Sequence, residues 1–134
     1  MGMDAYLLRV RNKKQPEQEN FWNEYVSMRD KAFYNKEDDF DKPAELWYAR
    51  KFYDLQSYMS DVVLDEPYEC GEYVEITKEM LEKMINFATH HKDYFDGFNG
   101  VSDLCQALYD YDEAQKNGWI YVYECDWWGI LNEL

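Results

Sequence analysis

Histidine, cysteine, proline and glycine are all scarce in this chain, and basic residues are half as common as acidic ones. The two histidines, His90 and His91, are adjacent. Neighbours on a helix point roughly 100° apart, so this pair is poorly placed to share one ion. The cysteines Cys70, Cys105 and Cys125 have no CxxC spacing, so no zinc knuckle and no metal site is expected. There is no GxSxG elbow, and the GFNG run at 97–100 lacks the Lys-Ser/Thr of a phosphate loop. No catalytic residue, cofactor or enzymatic activity is therefore expected. No apolar run approaches the roughly 18 residues of a membrane span. The first residues carry no basic segment, so no signal peptide is expected, and Tyr6 stands where a myristoylation motif needs Ser or Thr. An odd cysteine count without an export signal favours reduced thiols and a cytoplasmic location, while leaving one disulfide open.

What is abundant is acid and aromatic surface. The 134 residues suit one domain, 1–134. Apolar residues are 46% and aromatics 19%, enough for a packed core and too many for a disordered acidic tail. The net charge is −14, from 14 basic and 28 acidic residues. Such a charge repels nucleic acid and anionic membrane, so neither is expected as a direct partner. The excess is uneven. Residues 1–36 hold 7 basic and 5 acidic residues; residues 37–134 hold 7 and 23.

Hydrophobic spacing predicts the elements. Residues 5–11 alternate as a half-buried strand. Pro16 opens a helix whose face is Phe21, Tyr25, Met28 and Ala32. Pro43 opens a second, with Tyr48, Phe52, Leu55, Met59 and Val62 at intervals of 4, 3, 4 and 3. Residues 71–76 form a short strand. Thr77 caps a third helix, striped by Met80, Met84, Phe87 and His91 and widened by Leu81, Ile85 and Ala88. Ser102 caps a fourth, striped by Leu104, Cys105, Leu108 and Tyr111 and stopped at Gly118. Residues 119–125 (WIYVYEC) are apolar on both sides, as in a central strand covered by helices. The order predicts an α+β fold: a small, mainly antiparallel sheet of about three strands packed by about four helices.

Three segments resemble a group of small phage and prophage-encoded bacterial proteins that open with an MGLDMYL-like motif. Met1-Gly2-Met3-Asp4-Ala5-Tyr6-Leu7 is similar to that opening. Tyr48-Ala49-Arg50-Lys51-Phe52 is similar to their W-R-K helix core, Gly71-Glu72-Tyr73-Val74-Glu75-Ile76-Thr77 to their GEYYVS-type strand, and Tyr121-Val122-Tyr123-Glu124-Cys125-Asp126-Trp127 to their aromatic last strand. The group has no assigned activity, so the resemblance implies a phage or mobile-element setting rather than a mechanism. Its members often carry Trp before the Arg-Lys pair and His after it. Here Ala49 and Gln56 stand near those places, so histidine-based chemistry of the relatives is not expected to carry over.

Two features point to binding. Acidic clusters at Asp38, Asp39 and Asp41, and at Asp110, Asp112 and Glu113, can imitate the spaced charge of a nucleic-acid backbone. Asp126, Trp127 and Trp128 add a carboxylate and two aromatic anchors. These nine residues are the expected contact set for a host protein with a basic surface. A nucleic-acid-handling or defence protein such as a CRISPR effector fits that description, with this chain as its inhibitor; a homodimer through the aromatics is the blander use of the same surface. The alternative is a nucleotide-binding or sequestering protein, with Arg9 and Arg11 for the anion and Tyr121 and Tyr123 lining the cleft. Glu124, on a strand buried on both sides, needs a partner, and Arg9 or Arg11 on the first strand are the candidates.

Overall fold

The computed structural model describes residues 2–17, 26–27, 42–50, 53–64, 66, 68, 71–90 and 100–128. The fold is α+β. Among the described residues five strands form one sheet: β1 (Gly2–Val10), β2 (Val26–Ser27), β3 (Ala44–Arg50), β4 (Val74–Glu75) and β5 (Ile120–Trp128). Their order is β2-β3-β1-β5-β4, with β2 parallel to β3 and the other neighbours antiparallel. The helices among the described residues are α1 (Tyr53–Tyr58), which runs on as a π-turn over Met59–Val63, then α2 (Lys78–His90) and α3 (Val101–Lys116).

The pleat of β1 and β5 divides the core in two. Ala5 and Leu7 share a face with Tyr121, Tyr123 and Cys125, and this face packs against Leu55, Met59, Leu81, Met84, Leu104 and Ala107 of the helices. Leu8, Val10 and Val122 make a second cluster on the other face, with Tyr6, Tyr73 and Ile120 against it. Leu8, Val10, Val122 and Tyr123 are all fully buried, so the two-sided apolarity of residues 119–125 is that of a strand with both faces covered.

The expected counts of three strands and four helices are corrected at two places. Residues 44–50 are a strand, not the start of a helix: Trp47 opposes Leu7, Glu45 opposes Leu8 with Leu46 as the extra residue of a bulge between them, and Tyr48 pairs with Tyr6. The aromatic and apolar run Leu-Trp-Tyr prefers a pleated surface, and β1 offers it a long partner. The helix begins only at Tyr53. Its π-turn, closed by Leu64 N–H onto the Met59 carbonyl at 2.8 Å, inserts a residue. Val63 is therefore buried and Val62 is 40% exposed, against the 4-3-4-3 count. Within the helix expected from Pro16, Gln15–Glu17 is a 3-10 turn and Val26–Ser27 is strand β2; Phe21, Tyr25, Met28 and Ala32 lie outside the described residues.

The later elements follow expectation more closely. Thr77 Oγ1 accepts the Met80 N–H at 3.3 Å and so caps α2. The cap of α3 is Gly100, with φ +70°, rather than Ser102. A Cβ at Gly100 would lie 2.6 Å from Trp47 Cδ1, so only glycine lets the start of α3 approach that indole. The buried stripe of α3 is Leu104, Ala107, Tyr111 and Ala114, which leaves Cys105 free and exposed. Cys125 is disulfide-bonded, contrary to the reduced state that the cysteine count favoured.

Candidate interaction surface

The stripe that buries one side of α3 fixes what its other side presents. With 3.6 residues per turn, Ser102, Cys105, Gln106, Asp112, Glu113 and Lys116 lie within one turn-neighbour of the line through Tyr109, and all are exposed. Tyr109 is 85% exposed. A large aromatic in water on a helix otherwise polar on that side gains nothing from the fold. Asp112 and Glu113 follow it by three and four residues, so both carboxylates flank the ring.

The carboxylates are held, not loose. Lys78 of α2 donates to Asp112 at 3.1 Å and ties the two helices together. That bond and the Asp112 charge raise the Lys78 pKa. Gln106 donates to Asp110 at 3.0 Å one turn earlier. Asn117 donates its side-chain amide to the Glu113 carboxylate at 3.5 Å and to the Glu113 backbone carbonyl at 2.8 Å. The acidic surface extends onto α2 and β4. Tyr111 has its pKa raised by burial and, after that, by the charges of Glu75 and Glu79.

The other expected contact residues fall elsewhere. Asp126, Trp127 and Trp128 lie in β5, paired with Asp4, Met3 and Gly2. Asp38, Asp39 and Asp41 lie outside the described residues. The Asp110–Glu113 cluster is thus joined by Tyr109, which the sequence reading passed over. The signal was present: Tyr109 is 200° from Tyr111, so one of the two must leave the core.

The residues of the expected nucleotide cleft are engaged in packing. Arg9 is buried, donates to the Lys42 carbonyl at 3.0 Å, and lies 5.3 Å from the Trp119 ring centroid. Arg11 stacks on Trp119 at 3.5 Å and donates to the Asn117 carbonyl. Tyr121 is buried and donates to the Ala107 carbonyl at 2.8 Å. Tyr123 is buried, donates to Gln56 at 3.2 Å, and has its pKa pushed well up by that burial. The expected pairing of Glu124 with Arg9 is ruled out by register, and Arg11 is engaged with Trp119 and the Asn117 carbonyl instead. Glu124 opposes Tyr6 on one face, whereas Arg9 opposes Tyr121 on the other. Both are nonetheless buried.

Among the described residues no group of three or more His, Cys, Asp or Glu side chains is placed to hold a metal ion. No helix among them is long and apolar enough to cross a membrane. Comparison with protein-family models, curated proteins and solved structures finds no match.

Proposed function

We propose that this chain is a small acidic interaction protein that binds a positively charged partner through the outward side of α3. Tyr109 is the anchor, and Asp110, Asp112 and Glu113 supply the surrounding charge. The exposure of Tyr109 amid these carboxylates carries the reading, since a buried aromatic with a polar rim is the usual core of a binding site. The 23 acidic residues after position 36 add a long-range field that steers a basic partner inward. The partner class this charge suits is a host protein with a nucleic-acid channel, including defence nucleases. Spaced carboxylates would stand in for phosphates there, and the chain would act as an inhibitor of phage or mobile-element origin. In this reading it works by occupying a surface, not by catalysis.

The test is affinity capture from bacterial lysate at low and at physiological salt, read by mass spectrometry. The expected result is one basic protein retained at low salt and released as salt rises. Retention insensitive to salt would remove the phosphate-mimic element.

A further inference from the structure

A groove of about 440 Å3 opens on a different part of the molecule, between the turn after β1 and the start of β4. Lys13, Lys14, Gly71, Glu72, Tyr73 and Val74 line it. The volume falls in the range of small-molecule sites. The space beside Gly71 is open: a Cβ built there meets nothing within 4 Å.

The charge of this groove is unlike that of the chain. Four cations follow one another at the end of β1, and the fold uses them differently. Arg9 and Arg11 are committed to Trp119 and to the Lys42 and Asn117 carbonyls. Lys13 and Lys14 are exposed, and among the described residues neither ammonium group takes part in an ion pair or a hydrogen bond. Two adjacent lysines with no ion pair among the described residues are unexpected where acids outnumber bases two to one. The turn that carries them is braced. Asn12 Oδ1 accepts the Lys14 N–H at 2.9 Å, the Asn12 carbonyl accepts the Gln15 N–H at 3.2 Å, and Gln15 Oε1 accepts the Arg11 N–H. With Arg11 stacked on Trp119, the backbone under the lysines is fixed on both sides. Such preorganisation lowers the cost of binding.

The opposite wall is fixed too. Gly71 N–H donates to the Cys125 carbonyl at 2.8 Å, and Tyr68 donates to the Glu72 carbonyl at 2.8 Å. Tyr73 is half-buried against Leu8, Val10 and Val122. The groove therefore combines two ammonium groups, one carboxylate and a supported aromatic ring. Within a screening length of about 8 Å the lysines outweigh carboxylates on distant helices.

We infer that this groove binds a small phosphate-bearing ligand, its phosphate on Lys13 and Lys14 and a planar group on Tyr73. The site is separate from α3 and goes beyond the partner-binding reading, so either can fail alone. AMP, ribose 5-phosphate, adenosine and inorganic phosphate serve as probes, measured on the full chain by isothermal titration calorimetry. AMP is expected to bind with a Kd at or below about 1 mM, more tightly than adenosine or phosphate. Lys13→Ala/Lys14→Ala is expected to weaken AMP at least about tenfold. Lys83→Ala/Lys116→Ala, which removes the same charge from exposed helix positions, is expected to leave it unchanged. Tyr73→Leu should weaken AMP while sparing ribose 5-phosphate; equal loss of both, or inorganic phosphate binding as tightly as AMP, would overturn the role of the ring. No saturable binding by any probe, AMP binding that survives loss of both lysines, or equal weakening by the two double variants would overturn the site.

Discussion

Tyr109 and Tyr111, two residues apart on α3, are in opposite environments: the first is 85% exposed and the second 7%. Their 200° separation puts one ring in water and the other against Tyr121, edge to face at 5.2 Å. One helix thus holds a packing tyrosine and a tyrosine for which the fold has no use.

Stability should separate the two. Tyr109→Ala is expected to change the free energy of unfolding by no more than about 0.5 kcal/mol. Tyr111→Ala should cost about 3–5 kcal/mol, the range for truncating a buried aromatic. Urea midpoints of the two variants check this.

Gly100 tests how α3 is seated. Alanine there meets two obstacles, the left-handed φ of +70° and the Trp47 indole 2.6 Å from the new Cβ. The expected loss is on the order of 2 kcal/mol, with Trp47 emission shifted as its packing yields. Ser102→Ala, at the position first expected to be the cap, should lose no more than about 0.5 kcal/mol.

Much of this architecture is legible in the sequence. The WIYVYEC run reads as a strand buried on both faces because β-branched and aromatic residues fill both pleat positions. Thr77 with Glu79 reads as a helix start. Residues 44–50 do not read correctly, because Pro43 and the spacing from Tyr48 to Val62 imitate a helix. The real determinants are a distant partner, β1, and a π-turn that no spacing rule contains. Half of the candidate surface is legible as well: Asp110, Asp112 and Glu113 stand out as a charge cluster. Tyr109 does not, because its neighbours make it look like part of an aromatic core. The groove is invisible in sequence, since it joins residues 13–14 to residues 71–74 only through the sheet.

Alkaline pH should act through Tyr123. Burial raises its folded pKa well above the ordinary 10.0, and the nearby Tyr68 adds to this. A phenol raised in the folded state keeps its proton after the unfolded chain has lost one. Its contribution is therefore complete below pH 10.0 and is lost as pH climbs toward the folded value. Tyr123→Phe should flatten the fall in urea midpoint above that pH. At neutral pH the same variant gives up the bond to Gln56, a cost of about 0.5–1.5 kcal/mol.

Arg11 should not tolerate lysine. The guanidinium lies over the Trp119 ring, 3.5 Å from its centroid, and donates to the Asn117 carbonyl, at the end of α3. Lysine keeps the charge but not the planar stack. Arg11→Lys is expected to lose about 0.5–1 kcal/mol. The same variant should raise Trp119 exposure to acrylamide quenching.

The central claim is that the outward side of α3 binds a basic partner, and parallel affinity capture from bacterial lysate at low salt tests it most directly. The baits are the unaltered chain, Tyr109→Ala and Asp112→Asn/Glu113→Gln, each shown to be folded. The account predicts one basic protein on the unaltered chain, reduced about tenfold or more on both variants, as for an anchor and its charged rim. The same protein held equally by all three baits, or none held by the unaltered chain, would contradict it.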